Sequence, residues 1–207
     1  MAVAAALFLE HRAWRQSLGW AVGPSSIPPK LWAEKKGALQ AISHDGHHTP
    51  LLVIVVRNHD MSGREMAPAK RFIVHAMDRV VDCLRPGGRF VVAIDFEGMG
   101  YRNADAQVLL ACFDMLQRFY VERVEAMWFV QPPAVFWAIW KVVRPFVAAK
   151  TRDKIHFVSK KGVGPLVLSK FHAHDVPAAF GGTGVLHPLT PEPMPWEEPG
   201  LARRRRF

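Results

Sequence analysis

Cysteine is scarce in this sequence, acidic residues are outnumbered, and no apolar run is long enough to span a bilayer. Only Cys83 and Cys112 occur in 207 residues. Each falls inside an apolar helical pattern, so a disulfide framework is excluded and both are expected to be free, buried thiols of a reducing compartment. A spanning helix needs roughly 20 consecutive apolar residues. The greasiest stretch, Met127 to Trp140, is shorter and is broken by Gln131-Pro132-Pro133, so a soluble protein is expected. Met1 to Leu9 is apolar but has no basic residue ahead of it, and Glu10, His11, Arg12 and Arg15 follow at once. That pattern suits an amphipathic helix better than a secretion signal. Gly-x-Gly-x-x-Gly, P-loop and Gly-x-Ser-x-Gly motifs are all missing, which removes the usual nucleotide-binding and serine-hydrolase signatures.

The shortage of acid leaves 27 Lys+Arg against 18 Asp+Glu, a net charge of +9. Such a balance favours an anionic partner, either a membrane surface or a nucleic acid. Arg203 to Arg206 supply four of the charges. No nucleic-acid-binding motif accompanies them, so a membrane surface or plain solubility is the preferred reading and no nucleic-acid partner is expected.

Strand and helix signals alternate along the chain. Leu51 to Val56 is a continuous β-branched run, as in a strand buried on both faces. Arg89 to Asp95, Ala126 to Val130 and Lys154 to Ser159 read as further strands. Ala2 to Trp20, Ala69 to Arg85, Ala104 to Tyr120 and Pro133 to Ala149 read as helices, with a possible short helix over Leu166 to His172. In the second of these helices Ile73, Met77, Val80, Val81 and Leu84 share one face, opposite Arg71, Asp78, Arg79 and Asp82. This alternation implies an α/β fold with a mainly parallel sheet flanked by helices. From His187 onward the chain is Pro-rich and ends in basic residues, the composition of a disordered tail.

The helix from Pro133 to Ala149 does not fit an ordinary surface. Phe136, Trp137, Ile139, Trp140, Val142, Val143, Phe146 and Val147 surround it, and Lys141 and Arg144 are its only charges before Lys150. A helix that is apolar all round is either enclosed on every side or faces something apolar outside the core. The first case makes it a central packed helix. The second lets one face meet a lipid while Lys141 and Arg144 meet anionic head groups.

The run Phe119 to Phe136, with Tyr120-Val-Glu-Arg123 and Gln131-Pro-Pro133, resembles the signature of the CRAL-TRIO family. That family includes secretory phosphatidylinositol transfer proteins and tocopherol and retinal carriers. The resemblance continues through Arg144-Pro-Phe146, Thr151 and Lys154-Ile155. It includes Asp175-Val-Pro-Ala-Ala-Phe-Gly-Gly182, the strand Val91 to Gly98 and His11-Arg-Ala-Trp-Arg15, and so covers roughly residues 10 to 184. It implies a lipid pocket closed by a gate helix, with Glu122, Thr151 and Lys154 serving a phosphoinositide head group. A Lys ammonium pairs with phosphate, a Thr hydroxyl donates to its oxygens, and a carboxylate accepts from inositol hydroxyls or holds the Lys. Without the resemblance, Glu122 and Lys154 read as a structural salt bridge or two surface charges.

The chain also departs from the family pattern. Tyr-Pro-Glu-Arg is Tyr-Val-Glu-Arg here, and Asn-Ala-Pro is Gln-Pro-Pro. The Arg that phosphoinositide binders use ahead of the Trp-Arg element lies upstream of where this chain starts. The hydroxyls of phosphatidylcholine binders are replaced by Phe90 and Val92, which disfavours a choline lipid and leaves a sterol or tocopherol-like ligand open. Phe90, Val92 and Ile94 alternate onto one strand face as a pocket floor. With Phe129, Phe136, Ile139, Trp140, Val143 and Phe146 they complete the expected lipid pocket and gate.

The sequence therefore predicts an N-terminal helical remnant and loop over 1–30, a lipid-binding domain over 31–184, and a disordered basic tail over 185–207. The expected protein is a cytoplasmic, monomeric, non-enzymatic lipid carrier. It would touch membranes transiently, use no cofactor or metal, and bind phosphatidylinositol or another hydrophobic ligand. Two alternatives stand beside it. One is a small α/β enzyme using the strand-end carboxylates Asp95 or Glu97. The other is a non-binding scaffold for protein interaction. His44, His47, His48 and His59 cluster in sequence, but His44 to His48 lies in a polar Asp-Gly loop, and a solvated loop is a better reading than a metal site.

Overall fold

A computed structural model describes residues 2–18, 23–120 and 122–192, with residues 2–8 as backbone only. Among the described residues five strands form one sheet in the order β1 (Gly37–Ile42), β2 (Pro50–Val55), β3 (Phe90–Asp95), β4 (Val124–Val130) and β5 (Ile155–Val158). β1 pairs antiparallel with β2, and the other three pairings are parallel. The mainly parallel α/β fold expected from the sequence is thus present, with one additional antiparallel edge strand.

A short helix, α2 (Pro29–Ala33), precedes β1, and the parallel strands are joined through α3 (Met66–Asp82), α4 (Ala106–Arg118) and α5 (Ala134–Val143). Strand alternation sorts the sheet residues between two layers. Leu39, Leu52, Phe90, Val92, Met127 and Phe129 face these three helices and pack with Met77, Val80, Phe113, Phe136, Trp140 and Val143. The opposite face presents Leu51, Val53, Val91, Ala93, Trp128 and Val130 to α7 (Lys160–Leu168) and the segment after it, through Val163, Val167, Phe171, Val176 and Phe180. With both faces covered, continuous apolar strands are required. α1 (Ala2–Leu18) lies on the helical layer, where Trp14 stacks on Phe119 at 3.9 Å between centroids and Arg15 pairs with Asp78.

The Phe180-Gly-Gly182 element is demanded by backbone geometry. Gly181 has φ +84°, and a Cβ there would come within 2.5 Å of Gly164 Cα. At Gly182 a Cβ would meet the Val176 carbonyl oxygen at 2.0 Å. Only glycine fits either place.

Two expectations need correction. The tail does not begin at residue 185 as disordered chain. The Gln40 side chain donates to the Val185 carbonyl and accepts from the His187 N–H, Leu189 N–H donates to Gly37 O, and Leu189 is buried against the core. The edge strand β1 leaves backbone groups open, and Leu189 N–H takes up one of them at Gly37. Residues 193–207, including the arginine run, lie outside the described residues. The helix expected over Pro133 to Ala149 is also split. α5 stops at Val143, a 3-10 turn covers Arg144–Phe146, and the short α6 spans Ala149–Arg152. Pro145 has no N–H to continue the ladder and disfavours a helical residue before it.

Candidate functional site

An apolar cavity of about 170 Å³ lies between the sheet and α3, α4 and α5. β2 contributes Leu52 and Ile54, β3 contributes Val92 and Ile94, α4 lends Leu109 and Phe113, and α5 adds Phe136 and Ile139. Of the nine residues expected in the pocket and gate, Val92, Ile94, Phe136 and Ile139 line this cavity. Phe90, Phe129, Trp140 and Val143 instead sit fully inside the surrounding core. Phe146, the remaining one, is 67% exposed, because the turn at Pro145 directs it outward rather than into the core.

α5 is anchored by aromatic packing. Phe136 lies 4.5 Å from Phe96, 5.6 Å from Phe129 and 6.1 Å from Phe157 between ring centroids. Edge and offset contacts of this kind add modestly to plain burial. The outer face of α5 differs. Trp137 is 45% exposed beside Phe157 of β5, and Val142 and Phe146 are more exposed still, among the exposed cations Lys141 and Arg144. The helix is thus not a fully enclosed one, and its two faces do different things.

A second, smaller pocket of about 140 Å³ opens at the C-terminal end of α4 and the N-terminal ends of β4 and β5. The three residues singled out for a head group, Glu122, Thr151 and Lys154, all line it, together with Gln117, Tyr120 and Lys150. Glu122 adopts φ +60° in the turn before β4. That left-handed conformation is unfavourable for a residue with a Cβ and recurs at functional sites. Its carboxylate is held by Lys150 and lies 3.5 Å from Lys154 Nζ. The Lys150 hydrogen bond, with the nearby charge of Lys154, holds the Glu122 carboxyl below the usual carboxylate range. Lys154 also donates to the Val124 carbonyl at 2.7 Å, which fixes its direction. Gln117 accepts from the Ala148 N–H at 2.5 Å and so fastens α4 to the segment carrying Lys150 and Thr151. Two ammonium groups against one carboxylate leave the pocket a net positive charge, suited to an anion.

Leu116 and Met127 line both pockets. A polar, cationic mouth therefore adjoins an apolar chamber, as an amphiphile requires. Lys150 and Gln117 were not singled out in the sequence. Lys150 is one turn from Lys154 and could have been flagged on that spacing, whereas Gln117 carries no local signal.

The carboxylates of the alternative enzyme reading are both engaged. Asp95 is buried and pairs with Arg57 at 2.8 Å, while Glu97 pairs with Lys160 at 2.7 Å on the surface. Among the described residues no three His, Cys, Asp or Glu side chains come together to hold a metal. His59 stands apart from the His44 to His48 loop. It is buried, with Nε2 3.2 Å from Asp105 and Nδ1 3.3 Å from Lys36. Cys83 and Cys112 are not disulfide-bonded, and Cys112 lines the apolar cavity. Among the described residues no helix is long and apolar enough to cross a membrane.

The family model for the CRAL/TRIO domain matches residues 34–182. Clavesin-2 of Homo sapiens is 27% identical over 151 residues, covering 70% of this chain and 45% of its own length. The CRAL-TRIO domain-containing protein YKL091C of Saccharomyces cerevisiae is 27% identical over 124 residues, covering 57% of this chain and 40% of its own. The chain thus spans less than half the length of these relatives. Among solved structures, that of Sfh5 superposes with a TM-score of 0.67 at 16% identity, covering all of this chain and 78% of that one, a likeness of fold. With the matched segment, the two-layer cover of the sheet and the paired pockets all in place, the chain belongs to the CRAL/TRIO domain family.

Proposed function

We propose that this protein binds one amphipathic lipid and carries it between membranes without catalysing a reaction. The apolar part would occupy the chamber beneath α5, and an anionic head, phosphatidylinositol being the leading candidate, would sit against Lys154, Lys150, Thr151 and Glu122. The observation that carries this reading is that the cationic pocket and the apolar cavity share Leu116 and Met127 as a common wall. At about 170 Å³ the cavity is smaller than the roughly 300–1,000 Å³ of ordinary ligand pockets. A diacyl lipid therefore enters only if α5 moves away from the sheet, as lids do.

The outer face of α5 supports membrane contact as the trigger. Trp137, Val142, Phe146 and Phe157 expose apolar surface next to Lys141 and Arg144. Aromatic side chains flanked by cations suit the boundary of an anionic bilayer. The protein would then be cytoplasmic and peripherally associated. A transfer assay with labelled phosphatidylinositol tests the head-group assignment. Lys154→Ala should lower transfer at least about tenfold, since one charge-assisted hydrogen bond contributes about 1.5–3 kcal/mol. Transfer at the wild-type rate would remove Lys154 from the site.

A further inference from the structure

The end of the apolar cavity remote from Lys154 is lined by Lys36, His59, Asn103 and Asp105. They belong to a buried ionic network. Lys36 Nζ donates to Glu34 Oε2 at 2.6 Å and lies 3.3 Å from His59 Nδ1. His59 Nε2 lies 3.2 Å from Asp105 Oδ2, which also accepts from Arg64 Nε at 2.5 Å. The side chains of Glu34, Lys36, His59, Arg64 and Asp105 are only 3% to 13% exposed. Burying five ionisable groups is unfavourable unless each is well paired, and apolar residues would line the cavity as well or better.

The hydrogen-bond capacity of the network is nearly used up. Asn103 donates to the Arg57 and His59 carbonyls and accepts from the Gly100 N–H. Asp105 is taken by Val108 N–H, Arg64 and His59. Lys36 is different. An ammonium has three donors. Two directions go to Glu34 and His59, and the third side of the group faces the Phe72 ring, 5.3 Å from its centroid, at the cavity wall. A cation over a ring is a weaker contact than a charge-assisted hydrogen bond.

We propose that Lys36 forms a second polar subsite, which takes one acceptor oxygen, a hydroxyl, carbonyl or carboxylate, carried on the apolar body of the ligand away from its head group. This rests on the cavity being a ligand chamber, as proposed above. Ordinary phosphatidylinositol, whose acyl chains are plain hydrocarbon, would leave this subsite unused, so the subsite favours those amphiphiles whose apolar body carries an oxygen. A buried hydroxyl without a partner is strongly disfavoured, so Lys36 acts by removing that penalty.

Cyclohexane and cyclohexanol, small enough to enter without displacing α5, provide the test. Their affinities are measured by isothermal titration on the full chain, on Lys36→Met, and on Glu34→Gln/Lys36→Met, which keeps the network neutral if the single variant folds poorly. In the wild type, cyclohexanol should bind at least as tightly as cyclohexane. In either variant it should fall at least about tenfold behind. A wild type that already prefers cyclohexane by tenfold, or a preference unchanged on removing Lys36, overturns the subsite while leaving the apolar chamber standing. Failure of both molecules to bind the wild type overturns the chamber itself, and the subsite with it.

Discussion

Replacing Phe136 by alanine separates the inner face of α5 from its outer face. Phe136 is fully buried and touches Phe96, Phe129, Trp140 and Phe157. Truncating a buried Phe costs about 3–5 kcal/mol. One side of Phe136 already borders the cavity, where partner atoms are fewer, so the loss should lie near the lower bound, about 3 kcal/mol. For a chain of this size each kcal/mol shifts Tm by about 2–4 °C, giving a fall of about 6–12 °C. Trp137, the next residue, is half exposed, with Phe157 as its main aromatic neighbour besides Phe136. Trp137→Ala should cost within about 1 kcal/mol, in the range of surface changes that lose one ring contact. It should instead weaken binding to vesicles of anionic phospholipid. Urea unfolding and calorimetry measure the first quantity, and vesicle sedimentation the second. If Trp137→Ala destabilises as much as Phe136→Ala, or leaves vesicle binding untouched while Phe136→Ala abolishes it, the division of α5 into an anchored face and a membrane face is wrong.

Three other outcomes follow from particular residues. Burial pushes the Cys112 thiol up to about 12 from its ordinary 9.0, so it stays protonated at pH 8. Iodoacetamide should leave it unmodified until the protein unfolds, which peptide mapping of alkylated native and unfolded samples reads directly. Burial tends to raise the Asp105 carboxyl, but hydrogen bonds from Val108 N–H, His59 and Arg64 outweigh it and leave the group below its ordinary value. A depressed folded-state pKa stabilises the fold above the unfolded value, and that contribution is lost as pH falls through the folded one. Asp105→Asn should therefore lower stability at pH 7 and flatten the acid limb below about pH 4, as followed by urea midpoints across pH. Gly182→Ala forces a Cβ onto the Val176 carbonyl. Relieving that clash means shifting backbone, so thermal unfolding should show a loss of more than about 2 kcal/mol.

Much of the fold was legible because long apolar strands and amphipathic helices announce their period. Leu51 to Val56 and the face Ile73-Met77-Val80 needed no tertiary information. β1 was not legible. Gly37-Ala-Leu-Gln-Ala-Ile42 has few β-branched residues, and its strand state comes from pairing with β2. The ordered stretch after Val185 was missed for a similar reason, since its partners Gln40 and Gly37 lie about 150 positions away in the chain. Glu122, Thr151 and Lys154 converge as their resemblance to the family implied. The Lys36–His59–Asp105 network left no trace, because its members are 23 and 46 positions apart and each looks like a surface charge. Phe146 shows the reverse limit: it was assigned to the pocket and gate on helical spacing alone, and the turn that Pro145 forces puts it on the exposed side, which helical spacing could not tell.

The lipid-carrier reading is tested most directly by the native mass of the full chain purified after expression in cells. A bound molecule of one lipid per chain, released on denaturation and absent or reduced at least about tenfold in Lys154→Ala, is the expected result. A wild-type protein that emerges empty, and stays empty after incubation with vesicles containing phosphatidylinositol, would contradict it.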